Sequence, residues 1–277
     1  MKDTEIRKSV REGYGKIAKE GSSCCNKSSA ACCNGTQSAR DISKSIGYSE
    51  EDVNNIPDGA NLGLGCGNPI GLASLKEGET VLDLGSGAGF DCFLAANKVG
   101  GKGRVIGVDM TPEMLEKARE NARKNNYTNV EFRLGEIENL PVADNAVDII
   151  ISNCVINLAP DKNKVFKEAY RVLKPGGRLM VSDIVLTKEL PAFIRESVQA
   201  YIGCVSGAAL EEEYLGAIED AGFTNVRVAD ETGIATDSLD NDPIATSIGE
   251  SLKMTKEQIQ DLASAIKSIR VSAVKPK

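Results

Sequence analysis

The sequence predicts an α/β chain built on a mostly parallel sheet, and three observations carry that prediction. From Glu79 onward, short runs rich in β-branched residues alternate with amphipathic stretches, the pattern of crossover units. The first of these runs leads straight into Gly85-Ser86-Gly87-Ala88-Gly89, a glycine-rich turn that opens a helix. The helices between the runs carry start and stop signals: Thr111-Pro112 opens one as N-cap and N1 proline, and Lys174-Pro175-Gly176 closes another that starts near Asp161.

In chain order, Ile6, Val10, Tyr14 and Ile17 recur at the spacing of one helix face and predict a helix over Asp3 to Lys19. Gly21 to Arg40, rich in Ser, Cys, Asn and Ala without an apolar period, reads as a mobile loop. Ser49 to Asn55 predicts a short helix behind an N-cap serine. Strands are expected at Thr80 to Leu84, Arg104 to Asp109, Val130 to Leu134, Val147 to Ser152 and Arg178 to Asp183, with a helix from Pro112 through Asn125. Beyond Pro191 the pattern predicts a helix carrying Ile194 and Val198, a break at Gly203 to Gly207, and a helix from Ala209 to Ala221. Val226 to Ala229 and Ile269 to Val274 read as strands around a helix that starts at Thr255, with Gln258 completing a capping box. Three segments result: residues 1–75, a helix with a cysteine-rich loop and a glycine-cysteine run; residues 76–190, a Rossmann-like nucleotide-binding domain; and residues 191–277, an α+β part that completes the sheet.

Composition narrows the function. The 277 residues are 41% apolar and carry a net charge of −7, which disfavours nucleic acid and anionic lipid as partners. The charged start, Met1 to Val10, lacks a signal-peptide core and no apolar run reaches ~20 residues, so a cytoplasmic protein without a membrane span is expected. Eight cysteines in such a chain point to thiol chemistry or a soft ligand, and the absence of histidine removes the commonest general base.

Gly85 and Gly87 let the backbone approach a ligand, and Gly89 lets helix and strand pack closely. Asp109 follows the next apolar run about twenty residues later, where a carboxylate can accept ribose hydroxyls, so an adenosine-containing ligand is expected. Lys76 to Asp183 resembles the class I methyltransferases in the Gly-x-Gly-x-Gly spacing, in Asp83 before it, in Glu136-Ile137 after the third strand, and in Leu173-Lys174-Pro175-Gly176-Gly177. The resemblance implies S-adenosylmethionine as cofactor, held by Asp83, Gly85, Ser86, Gly87, Asp109, Met110, Glu136, Ile137 and Asn153.

Ligands of an open parallel sheet gather at the carboxyl ends of its strands, which places Asn153-Cys154-Val155-Ile156 beside the transferable methyl. Cys66 lies in Gly63-Leu64-Gly65-Cys66-Gly67, where glycine on both sides leaves its thiol uncrowded, and Cys204 lies in the glycine-rich Gly203-Cys204-Val205-Ser206-Gly207. With Ser152 to Leu158 and Tyr201 to Cys204, these runs resemble the arsenite S-adenosylmethionine methyltransferases. That resemblance implies trivalent arsenic held by Cys66, Cys154 and Cys204, soft thiolates on a soft centre, with arsenite or its thiol conjugates as substrate. It also implies a thiol relay restored by thioredoxin or glutathione, in which Cys33 or Cys32 takes part and Cys24 and Cys25 capture or deliver. A structural zinc or arsenic site on these four residues stays open, Cys92 is assigned to the core, and a monomer is expected. A carbon methyltransferase of the quinone or sterol type and a metalloid-sequestering thiol protein stand as the alternative functions.

Overall fold

The computed structural model describes residues 3–20, 38–233 and 254–277. Seven strands form one sheet in the order β3-β2-β1-β4-β5-β7-β6. They are β1 (Thr80–Leu84), β2 (Arg104–Asp109), β3 (Val130–Leu134), β4 (Val147–Asn153), β5 (Leu173–Leu186), β6 (Thr224–Gly233) and β7 (Ile266–Val274). The first five strands run parallel, whereas β7 pairs antiparallel with both β5 and β6. All five strands expected from Thr80 to Asp183 form, and the carboxyl-terminal pair joins the same sheet.

Strand alternation sets the two cores. Leu82, Leu84 and Ile150 face one side, where Val165, Phe166 and Tyr214 from α7 (Lys162–Val172) and α10 (Glu211–Asp220) cover them. Val81, Ile149 and Ile151 face the other, under Phe93 of α5 (Phe90–Val99) and Leu115 of α6 (Pro112–Lys124). Full burial on both faces is what apolar runs of this kind require of a parallel sheet.

The amino-terminal helix α1 (Asp3–Glu20) matches its expected span. Of the expected loop, residues 21–37 lie outside the described residues; Ser38 caps α2 (Ala39–Ser45) in a capping box with Asp41, so Ala39 and Arg40 are helical. Ser49 caps α3 (Glu50–Asn54) as expected, and Asn68 caps α4 (Pro69–Ala73). Lys174-Pro175-Gly176 follows the end of α7, which starts behind Asp161, as expected of a closing run. The helix ends at Val172, and the segment bulges within β5, whose register against β4 jumps from Val147↔Leu173 to Ile149↔Arg178. Proline without an N–H and Gly176 at φ +80 suit a bulge. The helix expected across Ile194 and Val198 is two short ones, α8 (Ala192–Arg195) and α9 (Val198–Ile202). Thr255 caps α11 (Lys256–Ser264) with Gln258 in the expected box. Among the described residues no helix is long and apolar enough to cross a membrane.

Candidate active site

The chain steps outward from β1 to β2 and β3, then returns to place β4 on the other side of β1. That reversal leaves a crevice at the carboxyl ends of β1 and β4, where open sheets bind ligands. A cavity of about 690 Å³ fills it and runs on toward β5 and β7. Its lining includes Asp83, Gly85, Asp109 and Ile137 at one end and Cys66, Cys154 and Cys204 at the other.

The glycine turn is held from behind. Gly85 and Ser86 donate their N–H groups to the Val108 carbonyl at 2.8 and 3.0 Å, and the Gly87 N–H donates to Asp109 Oδ2 at 2.9 Å. Asp109 Oδ1 accepts the Thr111 N–H at 2.8 Å, so one carboxylate ties the turn to the end of β2. Gly85 stands at φ +69, and a β-carbon there would lie 2.4 Å from Val155 Cγ2. Gly87, at φ +50, faces open space.

Three carboxylates converge here with little water. Asp83 is 3% and Asp91 7% exposed. Desolvation and the neighbouring Asp91 push Asp83 well above the usual carboxylate range, and burial likewise raises Asp109. Burial lifts Asp91 to about 6 against the opposing hydrogen bonds from Tyr48 and Asn153. Cys92 donates its thiol to Asp83 Oδ2 at 3.2 Å and is fully buried, as expected of a core residue. A cavity walled by desolvated carboxylates suits a cation, and Ser86 Oγ, buried without a partner, leaves one more polar group for a ligand. Both fit the ammonium and sulfonium of S-adenosylmethionine.

Helix α1 closes this end from above. Arg7 donates to the buried Glu138 at 2.9 Å and lies 3.3 Å from Glu136. Glu136 itself is partly exposed, while Ile137 and Glu138 line the cavity. Met110 and Asn153 line it too. Arg7, Tyr48, Asp91 and Glu138 escaped sequence reasoning: Arg7 on an amphipathic helix reads as solvated surface, and the other three are identified only by partners far away in sequence.

At the other end Cys66 and Cys154 are joined in a disulfide with a Cα–Cα distance of 5.8 Å. Their sulfurs and a carboxylate oxygen of Asp183 lie within 4.8 Å of one another. Cys204 stays outside the disulfide and donates its thiol to the Cys154 carbonyl at 3.0 Å. The expected trio is therefore brought to one wall of the cavity, with two of its thiols oxidised. Cys154 and Cys204 stand in left-handed backbone, at φ 57 and φ 64. Asp183, fully buried, accepts from Asn157 Nδ2 (2.8 Å), the Ile184 N–H (3.0 Å) and the Tyr214 hydroxyl (3.1 Å), and desolvation pushes it up to about 7. Cys24, Cys25, Cys32 and Cys33 lie outside the described residues.

Residues 75–222 match the family model of a methyltransferase domain. The arsenite methyltransferase of Halobacterium salinarum is 52% identical over 230 residues, covering 81% of this chain and 59% of that protein. That of Aquipseudomonas alcaligenes is 35% identical over 254 residues, 89% of this chain and 69% of the relative. A crystal structure of an arsenic(III) S-adenosylmethionine methyltransferase from Chlamydomonas reinhardtii superposes with a TM-score of 0.63 at 32% identity, over 85% of this chain and 73% of that one. The chain thus spans less than two thirds of the Halobacterium relative's length. With a carboxylate-lined cavity at the switch point and sulfur at its far end, the chain belongs to the arsenite methyltransferase family.

Proposed function

We propose that the chain transfers the methyl group of S-adenosylmethionine to trivalent arsenic held by the reduced Cys66, Cys154 and Cys204. The observation that carries this reading is one continuous cavity with desolvated carboxylates at one end and these three cysteines at the other. When bound, the cofactor supplies an electrophilic methyl on a sulfonium. Asp83 and Asp91 would hold its cationic end, Asp109 its ribose hydroxyls and the glycine turn its backbone-facing side, while Arg7 with α1 would shut out water.

Three sulfurs on one side of arsenic leave its lone pair facing the methyl, and that nucleophile has no proton to lose at attack. A chain without histidine needs only position its reactants. Transfer makes the As–C bond, breaks the S–CH3 bond and raises arsenic to the pentavalent state. The two electrons that return it to the trivalent state come from two cysteine thiolates, which leave as a disulfide. The Cys66–Cys154 bond has the form of that oxidised product, and an external thiol must reopen it before the next arsenite binds. Thioredoxin or glutathione is the reductant proposed, with Cys32 or Cys33 passing electrons inward.

The test is turnover by the purified chain, prereduced, with S-adenosylmethionine, arsenite and excess thiol, products read by mass spectrometry. Methylarsenicals are expected, in an amount limited to about one per enzyme when the thiol is removed after prereduction. No methylated arsenic under reducing conditions overturns the reading.

A further inference from the structure

Asn153 ends β4 directly before Cys154, and its amide is committed to protein groups. Oδ1 accepts the Cys66 N–H at 3.1 Å. Nδ2 lies 2.8 Å from the Gly67 carbonyl, 3.0 Å from the Tyr48 hydroxyl and 3.2 Å from Asp91 Oδ2. The Tyr48 hydroxyl in turn donates to Asp91 Oδ1 at 2.6 Å, with Tyr48 only 4% exposed. The glycine-cysteine run is moulded on this amide. Gly65 takes φ +117, and a β-carbon there would come within 2.8 Å of Asn153 Nδ2. On its other flank the Cys66 carbonyl accepts from Ser268 Oγ at 2.8 Å.

Asp91 belongs to two structures at once. It is one of the buried carboxylates lining the cofactor end of the cavity, and it is the acceptor that orients both Tyr48 and Asn153. A cation entering the cavity draws on the same group that fixes the Cys66 backbone. No other side chain is hydrogen-bonded to the Cys66 N–H among the described residues.

We propose that Tyr48, Asp91 and Asn153 form a positioning relay that sets where the Cys66 sulfur stands relative to Cys154 and links that placement to occupancy of the cofactor end. Asn153 thereby acts on the arsenic side through Cys66, in addition to lining the cofactor cavity. The consequence for turnover rests on the reading of Cys66 and Cys154 as arsenic ligands, whereas the placement of Cys66 is measurable without arsenic. The relay is also reciprocal: whatever cofactor does to Cys66 placement, Cys66 placement does to cofactor affinity.

Tyr48→Phe removes one hydroxyl and keeps the ring. The readout is the equilibrium of the reduced pair with oxidised glutathione, which yields the Cys66–Cys154 disulfide and two reduced glutathiones, followed by mass spectrometry of the crosslinked peptide. It is run with and without saturating S-adenosylhomocysteine. Wild type is expected to shift its pairing constant when S-adenosylhomocysteine binds. Tyr48→Phe is expected to lower the constant about fivefold, the loss of one hydrogen bond, and to abolish the shift while S-adenosylhomocysteine affinity in the oxidised state stays within about twofold. The arsenite KM rises, and cofactor affinity in the reduced state changes only by the factor of the lost shift. Should Tyr48→Phe fail to fold, Asn153→Asp keeps the acceptor for Cys66 and removes the donors to Tyr48, Gly67 and Asp91. A wild-type constant indifferent to S-adenosylhomocysteine overturns the relay, as does a variant with the wild-type constant and shift. So does a variant that melts lower and binds S-adenosylhomocysteine more weakly while keeping its shift, the mark of general loosening. Wild type that fails to bind arsenite sinks the proposed function, and the glutathione equilibrium still decides the relay.

Discussion

The two ends of the cavity are built by different means. The cofactor end is made largely by backbone: a glycine turn hung from Val108, closed by Asp109, and supported by parallel strands whose apolar side chains such as Val81, Leu82, Leu84, Val105 and Val108 go to the core. The sulfur end is made by side chains from three distant parts of the chain, Cys66 before the sheet begins, Cys154 after β4 and Cys204 after α9. Backbone geometry is announced locally by glycines and their spacing. A side-chain cluster exists only once the fold has assembled, so the first end tolerates little change at glycine and the second little change at sulfur.

The largest effect separates the ends most sharply. Cys66→Ser and Cys154→Ser are expected to cut arsenite-dependent methylation more than about a hundredfold while cofactor affinity by calorimetry stays within about twofold. Activity retained in both variants breaks the division. Gly85→Ala should do the reverse, since its β-carbon meets Val155 and its φ of +69 strains any other residue. We expect cofactor affinity to fall more than tenfold, with arsenite binding to the reduced thiols retained; Gly87→Ala, facing open space, should lose several times less.

The next effect is in pH. Burial raises Asp91 to about 6 and Asp183 to about 7, above the ordinary 3.8 of an unfolded aspartate. The folded protein therefore binds more protons than the unfolded chain between about pH 4 and 7, and its stability falls as pH rises through that window. Ligand-free protein should melt higher at pH 5.5 than at pH 7.5. S-adenosylmethionine, by neutralising the carboxylates of its end, should flatten the slope, and Asp183→Asn should flatten it further. A melting temperature that rises with pH contradicts the sign. The smallest effect lies away from both ends. Lys275 Nζ donates to Asn145 Oδ1 and to the carbonyls of Tyr170 and Leu173 at 2.7 to 2.8 Å. Lys275→Met should destabilise by about 1–3 kcal/mol in denaturant melts and leave both KM values unchanged.

The same contrast explains what was legible in the sequence. Strands β1, β2 and β3 match their expected spans because apolar runs between helix signals are local information. The glycine turn, Asp83 and Asp109 were visible for the same reason. Lys174-Pro175-Gly176 marked the helix end, but its bulge within β5 gave no signal, because only the pairing of β4 with β5 decides it. Tyr48 gave no signal, since its partners stand 43 and 105 positions away. The Cys66–Cys154 pairing was not legible, because it depends on how loops meet over β4.

Cys154 and Cys204 share a conformation that residues with a β-carbon rarely take and glycine takes freely. Each such placement costs about 1–2 kcal/mol relative to ordinary backbone. In a lineage no longer exposed to the substrate, these two positions would drift toward glycine or asparagine, and the drifted protein would be the more stable one. Cysteine retained at both left-handed positions in a relative would therefore record continuing selection for the thiol, and it could be read from sequence without an assay.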